Sequence, residues 1–285
     1  MALNINTNMT ALLAVQGMDV NSKMLSKTFE RLISGSRLNT SGDDPAAFAV
    51  STRLTAKIRG SNVAIRNAQD AISVTQVADA ALAETTNALQ KVRDLMTSAA
   101  GAGVTAVDRA AIQAEVQGLI AEVQRIAVGT SFNGKGLLTG SYAGQRVLIG
   151  AGGDILSMTI GGTSQEALRL LFGEDTGLKL FGSTIASTNE AVSATIANIA
   201  VVDAALNSVS TVRANLGAVQ NRLNSVIGGL NTLVTSTSES RARIADTDMA
   251  TEAAELAKLQ IKQQVGAAIL SQANQTPMAV LTLLK

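Results

Sequence analysis

Residues 192–233, VSATIANIAVVDAALNSVSTVRANLGAVQNRLNSVIGGLNTL, decide the architecture of this chain. Val192, Ile196, Ile199, Val202, Leu206, Val209, Val212, Leu216, Val219, Leu223, Val226, Leu230 and Leu233 follow one another at steps of three or four residues. Such a stripe occupies one side of an α-helix and forms a coiled-coil seam. At ~1.5 Å per residue the helix is roughly 60 Å long. A partner lies upstream, where Ile58, Ile65 and Ile72 are seven apart and Leu82, Leu89 and Met96 resume that spacing after a shift of phase. Two long helices separated by a turn-rich middle predict an antiparallel hairpin.

The boundaries follow from glycine and proline. Sixteen of the 24 glycines fall between Gly101 and Gly182, so the ends of the chain are helical and the middle turns. The two prolines are Pro45 and Pro277, and in GDDPAA Asp44 fits a helix N-cap with Pro45 in the first turn. A third helix is predicted over 107–126, with Ile112, Val116, Leu119, Val123 and Ile126 on one stripe. SFNGKGLL contains an Asn-Gly turn, QRVLIGAGGDILSMTIG reads as a β-hairpin, and SQEALRLLFG predicts a short helix ending before Gly173.

One more amphipathic piece lies at each end. Ile5, Met9, Leu12, Val15, Met18, Leu25, Phe29 and Leu32 step by threes and fours except at the turn where Ser22 sits on the stripe. Leu256, Leu259, Ile261, Val265 and Ile269 mark the other, and Leu281 and Leu284 extend the apolar close of the chain, SQANQTPMAVLTLLK. Polar stretches, SGSRLNTSGDD and STSESRARIADTD, join these pieces to the long helices. Lone helices with wide apolar faces are marginal in water. The two ends must therefore pack on each other, on copies of themselves, or both.

Composition narrows the function. Hydrophobic residues are 46% of the 285 but aromatics only 2%, which suits thin helical packing of Ala, Leu, Val and Ile. Lys plus Arg is 23 against 22 Asp plus Glu, so no net charge drives binding to nucleic acid or anionic lipid. With no Cys and no His, thiolate nucleophiles, imidazole bases and soft-metal ligands are excluded. No apolar run reaches the ~18–20 residues of a membrane helix, and the N-terminus lacks the layout of a signal peptide. We expect no enzyme, no cofactor, no metal and no membrane insertion.

Motifs with chemical readings have plainer ones. GAGVTA, 101–106, matches G-x-G-x-x-A but follows a helix, so it reads as a helix-to-helix loop. Asp246 and Asp248 have calcium-loop spacing, yet Thr251 and Ala257 occupy the glycine and glutamate places, so helix N-terminal carboxylates fit better. Asp43 and Asp44 read as a cap rather than a catalytic pair. Arg146, Asp154 and Glu166 form no convincing constellation in the middle.

MALNINTN, RLISGSRLNTSGDDPAAFAV, NAQDAISVTQVADAALAETTNALQKVRDL, FNGKGLL, LGAVQNRL, ARIADTDMATEAAELAK and ILSQANQTPMAVLTLL together resemble bacterial flagellin. The match covers about 1–140 and 185–285. It implies a mainly α fold, a long antiparallel coiled-coil bundle with a small β-hairpin region and discontinuous domains built from both chain ends. In that frame 1–43 and 240–285 form the inner coiled-coil domain, 44–140 and 185–239 the helical rod, and 141–184 a hairpin and turn region without large outer domains.

The resemblance also implies a function. The chain would polymerise into the flagellar filament, with Ile5, Met9, Leu12, Val15, Leu25, Phe29, Leu32, Leu256, Leu259, Ile261, Val265, Ile269, Leu281 and Leu284 packing the inner tube. It would leave the cell unfolded and uncleaved, and meet the export chaperone, export apparatus, filament cap and hook–filament junction proteins. A hook–filament junction protein or surface adhesin on the same rod is the alternative. In many flagellins the surface matching Gln90, Lys91, Arg93, Leu95 and Glu115 docks the host toll-like receptor; Lys91 stands where an arginine is usual and cannot reproduce bidentate pairing. Residues 23–66 hold eight basic against three acidic residues, and 239–255 five acidic against two basic, so opposed charge would favour register between subunits.

Overall fold

The computed structural model describes residues 8–101, 103–140, 142, 144–150, 152–158, 160 and 189–283, without the side chains of 189–197 and 276–283. The helices are α1 (Met9–Ser34), α2 (Pro45–Ala99), α3 (Ala106–Gly129), α4 (Asn189–Ala245) and α5 (Met249–Leu283). Between α3 and α4 lie two antiparallel strand pairs, β1 (Ser131–Phe132) with β2 (Lys135–Gly136) and β3 (Gln145–Leu148) with β4 (Ile155–Met158). Mainly α with a small hairpin region is the expected class. The short helix predicted before Gly173, like Glu166, lies outside the described residues.

Local chemistry sets the helix ends. The Asp44 carboxylate accepts the amides of Ala46 and Ala47 at 3.1 and 3.0 Å, starting α2 at Pro45 as predicted. Thr105 and Asp108 form a capping box that starts α3, a signal the apolar stripe of that helix does not carry. Asp248 accepts the amide of Ala250 at 2.9 Å and the Thr251 hydroxyl at 2.8 Å, so DTD begins α5. Gly35, in the left-handed region with φ 66°, closes α1 by donating to Arg31 O at 2.8 Å. Asn133 and Gly134 both have positive φ, which makes the β1–β2 turn and suits Asn-Gly.

The chain divides into two compact units, Met1–Ile58 with Thr235–Lys285, and Arg59–Val234. In the second, α2, α3, α4 and the β3–β4 hairpin share one core. Ion pairs of Asp79 with Arg213 (2.9 Å) and Arg93 with Asp203 (2.6 Å) run α2 antiparallel to α4. The hairpin adds Leu156, Met158 and Ile160 to the core, and Asn67 on α2 donates to Leu148 O at 3.1 Å.

Four details of the helical reading are corrected. The α2 seam has no shift of phase: Ser61, Ala64, Ala68, Ala71, Thr75, Ala78, Leu82, Thr85, Leu89, Val92 and Met96 are buried at unbroken steps of three and four. Ile58, Ile65 and Ile72 flank it half-buried, because the central places are taken by small side chains. On α4 the fully buried Ala205 holds the seam and Leu206 packs beside it; on α3 Ile120, not Leu119, is fully buried. STSESRARIADTD is not a linker for most of its length, since α4 continues to Ala245 with Thr237 buried.

Candidate assembly surface

The first unit pairs the two ends of the chain. Asn8 caps α1, its side-chain oxygen accepting Ala11 N at 3.1 Å while its amide donates to Ala273 O at 2.8 Å. Thirteen residues on, Asn21 donates to Leu259 O at 3.0 Å and Gln263 Oε1 at 2.9 Å. Arg31 meets Glu252 at 3.7 Å, and Ser36 bridges Asp246. Each later residue of α1 meets an earlier residue of α5, so the two helices are antiparallel.

The side of α1 facing α5 is Ala11, Ala14, Met18, Asn21, Leu25, Thr28 and Leu32, and the opposing side is Leu256, Leu259, Gln263, Gly266, Leu270 and Ala273, all half-buried or buried. Most of these are small or polar. A Cβ built on Gly266 would stand 3.0 Å from Met18 Cγ, which shows how closely the helices approach. Asn21, not Ser22, occupies the polar step of the α1 stripe.

Twelve other large apolar residues point away from this seam. Met9, Leu12, Leu13, Val15, Val20, Met24 and Phe29 on α1 and Met249, Ile261, Val265 and Ile269 on α5 are each between 42% and 63% exposed, and Ile33 is 85% exposed. Of eighteen exposed large apolar side chains among the described residues, these helices carry twelve. A shallow groove of about 330 Å³ continues this surface between Ala14, Met18, Met24, Lys262, Gly266 and Ile269. Covering twelve half-exposed side chains at about 1 kcal/mol each yields on the order of 10 kcal/mol. That matches the cost of association in order of magnitude, so many contacts together favour reversible assembly and no single one suffices.

The sequence-predicted packing residues therefore split. Met9, Leu12, Val15, Phe29, Ile261, Val265 and Ile269 are outward, whereas Leu25, Leu32, Leu256 and Leu259 lie in the seam between α1 and α5. Ile5 and Leu284 lie outside the described residues, as does the side chain of Leu281.

Charge secures the loop after α1. Lys27 donates to Asp43 at 2.9 Å, Thr40 adds its amide and hydroxyl at 3.1 Å, and Arg31 stands 4.0 Å away. These bonds, the Lys27 ammonium foremost, hold the Asp43 carboxyl well below the usual carboxylate range. The Thr251 hydroxyl and the α5 amides likewise lower Asp248. Arg31 and Glu252 also join the basic and acidic stretches inside one chain.

The second unit shows a different surface. Gln90, Lys91 and Arg93 are exposed on α2 around the fully buried Leu89 and Val92, Leu95 is half-buried, and Glu115 is exposed on α3. Asp203 raises the Arg93 guanidinium by hydrogen bond and charge. Arg146 and Asp154 are exposed at the β3–β4 hairpin. Of GAGVTA, Gly101 and 103–105 lie between α2 and α3, as expected of a loop, and Ala106 begins α3. Among the described residues, no group of acidic side chains could hold a metal, and no helix is long and apolar enough to cross a membrane.

One unit has a filled helical core, and the paired chain ends of the other carry an apolar exterior. Residues 5–143 match the bacterial flagellin N-terminal helical region, and 199–284 match the bacterial flagellin C-terminal helical region. The chain is 38% identical over 304 residues to the flagellin of Bacillus subtilis (strain 168), covering 99% of this chain and 100% of that protein. It is 36% identical over 292 residues to the flagellar filament 31.3 kDa core protein of Treponema maltophilum, covering 99% of each. A putative flagellar hook-associated protein from Vibrio parahaemolyticus shares the fold, with a TM-score of 0.61 at 14% identity over 72% of this chain and all of that one. The chain belongs to the bacterial flagellin family, which is a family of structural proteins.

Proposed function

We propose that this chain is the structural subunit of a flagellar filament, a helical homopolymer outside the cell that serves swimming. The observation that carries it is the outward apolar surface of α1 and α5, on a chain similar along its whole length to filament core proteins. At 285 residues it is a short form without large outer domains. Nothing favours a junction protein or adhesin: the hook-associated likeness is one of fold, whereas the flagellin identities are well above it.

Folding is coupled to assembly in this reading. Residues 1–33 and 248–285 are largely disordered in the monomer and pair as helices when neighbours cover them. The exposed apolar side chains of α1 and α5 support this, since pairing the two helices leaves twelve large ones uncovered. Disordered ends also suit export in an unfolded state with no cleavage, with the chaperone, export apparatus, filament cap and junction proteins as partners. The five segments divided at 43, 140, 184 and 239 are the working domain plan. Opposed charge on 23–66 and 239–255 aids register between subunits beyond the internal Arg31–Glu252 pair.

A host toll-like receptor is a partner at Gln90, Lys91, Arg93, Leu95 and Glu115, exposed or half-buried side chains of α2 and α3. Lys91→Arg is expected to raise receptor signalling in a reporter assay, because a planar fork replaces a point charge.

The test of the main proposal is electron microscopy of purified chain after addition of a kosmotropic salt, beside a form lacking 271–285. Salt of that kind strengthens apolar burial. Filaments from the full chain and none from the truncation are expected. Compact particles or rings from both would overturn the proposal.

A further inference from the structure

The seam between α1 and α5 contains a buried polar contact that apolar packing does not require. Asn21 is 8% exposed, and its amide donates to both Leu259 O and Gln263 Oε1. We infer that the Asn21–Gln263 pair fixes the register in which the two chain ends lie against each other. The device acts between the two ends of one chain once they are paired, and it rests on the proposed pairing of those ends on assembly.

The apolar part of the seam discriminates weakly between registers. Moving α5 by seven residues keeps the same helix faces in contact and sets Asn21 opposite Leu256 or Leu270. In one direction Ala11 would meet Gly266 in place of Ala273, and Met18, the large side chain set against Gly266, is flexible enough to repack, so little packing is lost. Backbone carbonyls recur in every turn and also fit any register. Gln263 does not recur: Leu256, Leu259, Gly266, Leu270 and Ala273 fill the other seam positions. Slipped one way, Asn21 faces Gly266 and Leu270 and has no side-chain acceptor; slipped the other way, it regains one only from Glu252, which must leave Arg31 to provide it, so losing Gln263 opposes both slips. Single buried asparagines specify register in coiled coils by the same logic. A slip of seven residues would displace the outward stripes of α1 and α5 by ~10 Å relative to each other, destroying their common surface.

The test is disulfide trapping in full chain that has no cysteine of its own. Met18→Cys with Gly266→Cys reports the observed register, because Gly266 already lies against Met18. Met18→Cys with Ala273→Cys, and Ala11→Cys with Gly266→Cys, report slips in the two directions. Each pair is oxidised in kosmotropic salt in the parent and in Asn21→Leu/Gln263→Leu chains. The parent is expected to cross-link at 18–266 alone. The Leu/Leu chain should keep or raise its helicity and melting temperature while the ratio of slipped to observed cross-links rises at least tenfold. Cross-linking of the Leu/Leu chain at 18–266 alone would overturn the inference, as would slipped cross-links in the parent. Loss of helicity in the Leu/Leu chain would also overturn it, by showing that the pair holds the helices together rather than choosing their register.

Discussion

The two compact units use similar helices in opposite ways. In the unit formed by 59–234, Leu82, Leu89, Met96, Leu216 and Leu223 are almost fully buried against α2, α3, α4 and the hairpin. In the unit formed by the chain ends, Leu12, Leu13, Ile261 and Ile269 face outward while alanine, glycine, asparagine and threonine fill much of the seam. The unit of 59–234 completes its core within one chain. The unit of the chain ends leaves twelve large apolar side chains exposed, which is the physical signature of a subunit rather than a finished particle.

The comparison breaks first if core and exterior respond alike to truncation. Leu89→Ala removes a side chain with no exposure, and a loss of about 2–5 kcal/mol in unfolding free energy is expected by denaturant titration. Leu12→Ser with Ile261→Ser should leave that titration nearly unchanged. The pair should instead raise the critical concentration for polymerisation roughly thirtyfold, because each lost contact removes about 1 kcal/mol from assembly. Equal effects of both changes on monomer unfolding would show that the ends carry a core of their own.

Smaller effects sharpen the contrast. Arg93→Gln breaks the 2.6 Å pair with Asp203, but both side chains are more than two-fifths exposed. Solvent screening keeps the loss small, and the same titration should place it below any core truncation. The least change is expected from Asp43→Asn, and only in acid. Asp43 has a lower carboxyl pKa folded than unfolded, so the unfolded state binds more protons between the two values and stability rises with pH there. Its contribution is complete above the ordinary carboxylate pKa of about 4 and fades as pH falls below it. Amide exchange at α1 and the 35–44 loop should therefore quicken less on acidification in Asp43→Asn than in the parent. An identical acid response would place the acid-sensitive contact elsewhere.

Much of this was legible in the residues. The three-and-four steps of 192–233 announced α4, Asp44 with Pro45 announced the start of α2, and Asn133-Gly134 announced a tight hairpin. The Thr105–Asp108 capping box was equally local and could have been read from T-x-x-D before the α3 stripe. What misled was size. Isoleucines at 58, 65 and 72 drew the stripe to the edge of the α2 seam, whose centre is alanine, serine and threonine.

For the candidate surface, sequence identified the right helices and half of the geometry. Periodicity established that α1 and α5 are amphipathic and that nothing in their own stretches covers them. It did not determine which side of each helix meets the other, since Met9, Leu12 and Val15 and also Ala11, Ala14 and Met18 repeat with helical spacing. Helix type and end points follow from interactions among residues a few positions apart, which any local stretch contains. Inside and outside are decided by the distance at which α5 approaches α1, and that distance depends on residues some 240 positions away, Gln263 opposite Asn21 and Gly266 opposite Met18.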